Sequence, residues 1–488
     1  MSLQRIFAAF LISITLLFVS CRKDDLSTKQ NIQLTFSVDT IFFDTLFTGF
    51  NSSTKAIKVY NPENQTISID RIELAGGTPS PFRINVDGQQ GIVHANIELA
   101  PEDSMYIFLE NTMTILDQAN PFIIQDSIIF EVNSSDHQQD LDIIAWGQDA
   151  NYYSSANGNN IIQNDTTWTN SKPHVIFGQL WVDSAATLTI EEGCQIHIHN
   201  DGIFGIYKEG QVIANGTTEN PIAFQGSRLE FEYEEIAGQW RGIYLHRLSY
   251  NNVFNNVIIK NAQIGIQIDQ LPSELESGSI FNHGADYNLY LYNSHIRNMS
   301  AIGLWGIAGA VQSHNSIFSN CGQHLATLSW GGAYQFRHCT LANYWIANFK
   351  ETPAVIINDF HPYVTVDHNS LDSSLFANCI ITGNENIELV HSFEDNTNLD
   401  ISYLNVIAKV DTSFEQLDQN IYSQFIGEIT NENNLFIDKS EDYHLEEGSE
   451  LIGTGDINLN TGINSLINDK DGNTRVSPVS IGALEFIE

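Results

Sequence analysis

Lys260, His295 and Arg297 share one outward face if the short segments that carry them stand on adjacent turns of the chain. A lysine or histidine so placed can take a proton from a carbon beside a carboxylate while an arginine holds that carboxylate, so the trio is a candidate base and charge clamp. The plainer alternative is that the long stems lie along an exposed face and the charges stay in water. Asp469, Asp471 and Asn473, with Gly472 between them, alternate oxygen ligands as a calcium loop does, but the twelfth position counted from Asp469 is Ser480, where such a loop carries Glu. The same residues would equally serve a turn, and no other motif asks for a cofactor. Trp305, Trp330, Tyr334, Tyr344 and Trp345 gather in one stretch, with His314 and His324 between. Exposed, such rings can stack on sugar faces; buried, they fill an interior. Asp286 and the pair Asp367-His368 stand isolated, and Cys194, Cys321, Cys339 and Cys379 form neither a CxxC nor a Cys/His pair with zinc spacing. There is no Gly-rich phosphate loop, no Gly-x-Ser-x-Gly elbow and no dinucleotide fingerprint.

The elements that must position these residues are repeats. Asn256-Val-Ile-Ile-Lys-Asn261, Asn293-Ser-His-Ile-Arg-Asn298, Asn315-Ser-Ile-Phe-Ser-Asn320, His338-Cys-Thr-Leu-Ala-Asn343 and Asn378-Cys-Ile-Ile-Thr-Gly383 share one pattern. The second positions are small and the fourth are large and apolar, a period of two that reads as a strand with both facing inward. The sixth is Asn or Gly, residues that tolerate a left-handed turn. Successive starts differ by 37, 22, 23 and 40 residues (293−256, 315−293, 338−315, 378−338). A base period near 22 with two insertions is a solenoid rung, and a stack of such rungs is a right-handed parallel β-helix. Cys339 and Cys379 then sit in the inward column as small hydrophobes. The first outward position is often apolar (Ile258, Ile317, Ile380), which predicts cover by an insertion rather than an open groove. The polar insertion Gln270 to Tyr287 reads as a loop bulging from a turn, and Ile401 to Val410 as one more rung.

The 488 residues leave room for more than one domain, and 42% hydrophobic composition argues a folded chain. With 59 acidic against 21 basic residues the formal charge is −38, which repels phosphate backbones and excludes nucleic acid as a partner. Polyanionic glycans are repelled too, unless a metal ion or basic patch intervenes. Residues 1–21 read as an export signal: Arg5, an apolar run from Ile6 to Val19, then Ser20-Cys21. Residues 22–30 form a polar tether. Residues 31–150 carry short alternating runs such as Ile67 to Leu74 and Asp126 to Val132, separated by Pro- and Gly-containing turns, and read as an antiparallel β-sandwich. Residues 151–160 read as a linker, and 161–488 as the β-helix with its C-terminal cap.

Several stretches resemble known families. Leu17-Phe18-Val19-Ser20-Cys21 resembles the lipobox of bacterial lipoproteins, with Phe18 in place of the usual leucine, and Arg22-Lys23-Asp24-Asp25 is similar to the tether of Bacteroidetes surface lipoproteins. The resemblance implies that Cys21 is lipidated and anchors the chain at the outer membrane or cell surface. Val59-Tyr60-Asn61, Phe82-Arg83-Ile84, Leu99 to Ser104 and Ala145-Trp146-Gly147 follow one another as in immunoglobulin-like modules of the abnormal-spindle/hydin type, which usually act as spacers. Leu188 to Gly193, Ala214 to Thr217, Asn220 to Phe224 and Trp240 to Ile243 resemble the first coils of pectin-lyase-like β-helix proteins. There the Trp covers the growing core. Asp469 to Arg475 and Ile481 to Glu485 resemble the closing coil and cap of that superfamily. Its polysaccharide lyases use a basic residue as base, which is what Lys260, His295 or Arg297 would supply, but the Asp cluster of its calcium-dependent lyases is missing from the hexapeptides. The Asn-x-Asp, Gly-Asp-Asp and Gly-His-Gly strings of its hydrolases are absent as well. The sequence therefore points to an exported lipoprotein that presents a surface to a polysaccharide or an envelope protein. The alternative is a carbohydrate-active lyase or hydrolase of the same superfamily.

Overall fold

A computed structural model describes residues 26–29, 31–113, 121–133, 138–269, 286–363, 365, 368–393, 399–410 and 434–487. Cys21, most of the expected tether, Asp367 and the insertion 270–285 lie outside these residues. The chain divides into two compact units, Met1–Asp149 and Ala150–Glu488.

In the first unit two five-stranded sheets enclose one apolar core. Thr35–Phe36, Lys55–Tyr60, Ser104–Asn111, Phe82–Val86 and Gln89–Gly91 make one sheet; Thr40–Phe47, Gln138–Gln148, Phe122–Val132, Ile67–Leu74 and Val93–Leu99 make the other. This is the expected β-sandwich, with one departure: Thr40–Phe47 runs parallel to Gln138–Gln148, so the sandwich is not wholly antiparallel. The motif residues now have reasons. Asn61 is buried, and its amide donates to the carbonyls of Gln65, Leu99 and Ala100, tying two turns together. Gly147 lies where a Cβ would come within 2.5 Å of the Phe122 ring.

The second unit winds three parallel ladders. Among the described residues nine successive pairings join ten strands on the ladder face, from Asn151–Tyr153 to Ile407–Ala408, and this face carries the hexapeptides. Gly242–His246, Ile264–Asp269, the first part of Ile302–His314, the first part of His324–Arg337, and Val355–Asn358 build a second face. Asn252–Asn255 and Leu289–Tyr292 belong to the third. Asn151–Tyr153, read as linker, is therefore already a strand of the helix, paired with His174–Ile176.

The inward column is as the pattern predicts. Second positions Val257, Ser294, Ser316, Cys339 and Cys379, and fourth positions Ile259, Ile296, Phe318, Leu341 and Ile381, are all at most 1% exposed. Each large apolar side chain so buried contributes about 1.5–3 kcal/mol. The four described cysteines are free and buried. Trp240 is fully buried, and its indole donates to the Lys260 carbonyl at 2.9 Å. The turn residue differs from expectation. Every first position is left-handed (Asn256, Asn293, Asn315, His338, Asn378, with φ from 48 to 52°), whereas only Asn261, Asn298 and Asn320 of the sixth positions are. The corner that needs an Asn thus precedes the strand, and its amides bond from rung to rung, Asn315 to Asn293 and Asn405 to Asn378.

Residues 434–487 do not close the helix as a coil. They lie along the ladder face as a strap, where Leu435, Phe436, Tyr443, Leu445, Leu451, Ile481, Ala483 and Leu484 bury the outward Ile317, Tyr344, Ile380 and Ile407. The expected cover exists, but it is supplied by the C-terminal segment. Ile481 to Glu485, expected in the closing coil and cap, is irregular.

Candidate functional site

The basic trio is assembled and then closed. Lys260 pairs with Arg297 across the ladder, while His295 stands opposite Ile258. Glu235, from the segment between two early coils, meets both cations: Lys260 Nζ at 3.3 Å and Arg297 Nη2 at 2.7 Å. Burial acts to raise the Glu235 carboxyl, and the two cations overcome it, holding its pKa below the usual value. His295 lies under the strap, bonded through Nε2 to Ser319 Oγ at 2.8 Å with its ring edge-on to Tyr443. Burial, helped by Arg297, keeps it neutral by pushing its pKa well below 6.5. A general base must reach its substrate proton, and these groups are committed to the protein's own side chains.

The suspected calcium loop is a lock for the strap. The Asp469 carboxylate accepts N–H bonds from Asp471, Asn473 and Glu485 and from the Asn473 amide. That is a shell of donors, whereas calcium takes a cage of oxygens. Asp471 faces His444 at 3.3 Å and Lys470 at 3.2 Å. Among the described residues no group of three or more His, Cys, Asp or Glu is placed to hold a metal.

The five aromatic candidates fall in three places. Tyr334 is wholly inside, its hydroxyl held by Gly309 and Gly331. Tyr344 lies beneath the strap against Phe436, and the Trp345 indole donates to Asn348. Buried in this way, these three rings have no free face for a sugar. Trp305 and Trp330 meet on the second face, beside Ile307 and Ala308.

On that face a column of outward residues runs along the helix axis through successive ladder partners. It runs from Ile161 through Trp181, Gly205 and Tyr244 and continues with Gln267, Trp305, Thr327 and Ile356. Its aromatic members stand on alternate rungs, and the first two, Trp181 and Tyr244, lean toward each other across Gly205. Gly205 is what lets the first ring lie down: a Cβ there would sit 2.3 Å from Cε3 of Trp181, so the indole covers the glycine. Gln179 anchors the Trp181 N–H at 3.1 Å, and Tyr244 stands edge-on at 5.8 Å. Trp181, Tyr244 and Trp305 are each only partly buried. Farther along, Tyr363 lies 5.4 Å from Trp305 and is 53% exposed. Trp181, Tyr244 and Tyr363 did not stand out in the sequence. A usable signal for the first two was an aromatic between two inward aliphatics, as in Leu180-Trp181-Val182 and Ile243-Tyr244-Leu245.

The family model described as "Right handed beta helix region" matches residues 160–341. Among curated proteins no match was found. Solved structures with a slight likeness include the chaperone DraB of E. coli, at 9% identity over 25% of this chain, with a TM-score of 0.18. This chain spans 57% of the DraB chain. A PapD-like domain of human CEP192 is 11% identical over 27% of this chain and 94% of its own, with a TM-score of 0.17. A family 123 glycoside hydrolase from Clostridium perfringens is 9% identical over 28% of this chain and 26% of its own, with a TM-score of 0.19. Scores this low carry no argument about this chain. The family match and the three parallel ladders together make the second unit a right-handed parallel β-helix, preceded by a β-sandwich.

Proposed function

We propose that this protein is an exported, lipid-anchored envelope protein whose β-helix binds a neutral glycan along its second face. The observation that carries the reading is the outward column of Trp181, Tyr244 and Trp305, with the Trp181 ring laid across Gly205. Flat, partly exposed rings offer apolar faces to the C–H side of a pyranose, and fixed polar neighbours such as Gln179 and Gln267 serve its hydroxyls. The formal charge of −38 favours a neutral ligand over a polyanion. The export signal and Cys21 supply the address and anchor of the reading, and the sandwich serves as its spacer. The lyase or hydrolase alternative draws no support from Lys260, His295 and Arg297, whose side chains are engaged by Glu235, Ser319 and the strap. Affinity electrophoresis through gels containing neutral polysaccharides tests the proposal. Retardation that is lost in Trp181→Ala supports it; equal mobility in every gel refutes it.

A further inference from the structure

Beyond the open column, the second face holds a nest with unspent hydrogen-bonding capacity. The Trp305 ring packs on Ile307, Ala308 and Trp330. His361 closes the nest, edge-on to Trp330 at 4.9 Å and 6.0 Å from the Tyr363 ring. Three buried polar atoms here have no hydrogen-bond partner: Nε1 of Trp305, Oγ1 of Thr327 and Nε2 of His361. Thr327 is the ladder neighbour of Trp305, and Thr327 and His361 are only 8% and 7% exposed. The Tyr363 backbone N–H donates to Nδ1 of His361 at 3.2 Å, so the neutral ring carries its proton on Nε2. Burial, with Arg247 nearby, favours that neutral ring. Two N–H donors and a hydroxyl therefore lie buried in one cluster without an acceptor, and buried donors left unpaired are destabilising.

The charges around the nest oppose each other. The Arg247 guanidinium stands over Trp330 at 5.5 Å, and Asp269 acts on both Arg247 and Tyr363. A charged ligand would gain from one and be repelled by the other. The complementary group is a neutral acceptor that also carries a small apolar part. We propose that this nest binds the acetamido group of an N-acetylated amino sugar, with its carbonyl oxygen toward Trp305 and His361 and its methyl on Trp330, Ile307 and Ala308. This rests on the glycan-binding reading and names the sugar class. Tyr363 is the exposed ring that a ligand displaces on entry.

The test is calorimetric titration of the whole chain with two neutral oligomers of equal length, N-acetylchitohexaose and cellohexaose. The expected result is binding of the acetylated oligomer at least tenfold tighter. His361→Phe removes one donor and should reduce that preference roughly five- to tenfold while cellohexaose affinity stays the same. Thr327→Val, which keeps shape, carries the same reading if His361→Phe melts early. Equal affinity for both oligomers overturns the acetamido site and leaves glycan binding standing. A preference untouched by either folded variant overturns it as well. Binding of neither oligomer overturns the acetamido site, and the gels containing other neutral polysaccharides then decide the glycan-binding reading.

Discussion

Trp181 and Gly205 set the residue scale, because one hydrogen in place of a methyl decides whether a ring lies flat. Gly205→Val should lift the Trp181 indole off the ladder, and Trp181→Ala should remove it. Loss of a central aromatic contact costs roughly 2 kcal/mol, about thirtyfold in affinity for a neutral glycan. The Trp181 side chain points away from the core, so the melting midpoint of Trp181→Ala should move little; a large fall in stability would place Trp181 in a structural role. Little of this was legible beforehand. The stretch from Trp305 to Trp345 drew attention by density of rings, yet density does not separate an outward position from an inward one. Tyr334 lies one residue past Ala333 at an irregular register, where the ladder shifts between Ile307 and Gly309, and it turns inside. Trp181 stood alone among aliphatics and gave no cluster to notice. The basic trio was read correctly as neighbours, but Glu235, which closes it, comes from a segment with no repeat.

At the scale of elements, the strap is held by buried charge. Arg475 is fully enclosed and donates to Glu485, Asn315, Gly482 and Ala483. Arg475→Ala leaves Glu485 without its partner and should destabilise the strap by about 3–5 kcal/mol. Limited proteolysis between residues 434 and 487 at unchanged ladder content, followed by circular dichroism, checks it. The pair of His444 and Asp471 adds a pH dependence. Hydrogen bonding to Asp471 raises His444 to about 9, and the same bond lowers Asp471 to about 2. The raised histidine stabilises fully below its unfolded pKa near 6.5 and loses that contribution as pH climbs through about 9. The depressed aspartate stabilises above about 3.9 and loses its contribution as pH falls through about 2. The melting difference between the native chain and His444→Ala should therefore shrink from pH 6 to pH 10; a constant difference would show that the pair does not hold the strap. Local period-two patterning revealed the ladder and the need for cover over Ile317 and Ile380. It could not reveal the strap, whose bonds to Asn315 and Asn378 span 150 and 78 residues.

At the scale of the whole molecule the predictions concern the stacked core and the proposed lipid anchor. Ile381→Asp places an unpaired charge between Leu341 and Ala408, its ladder partners, and should unfold the helix. An unaltered melt would mean that the inward register is wrong. Cys21→Ala should release the protein from membranes into the soluble fraction, and persistent membrane association would reject the lipid anchor. The proposed glycan binding rests on the second face. The deciding measurement is titration of a neutral, extended polysaccharide into the native chain and into Trp181→Ala, with folding checked in both. Saturable binding to the native chain, weakened about thirtyfold in the variant, is the expected result. Binding of equal strength in both, or none to the folded native chain, would contradict a glycan-binding face.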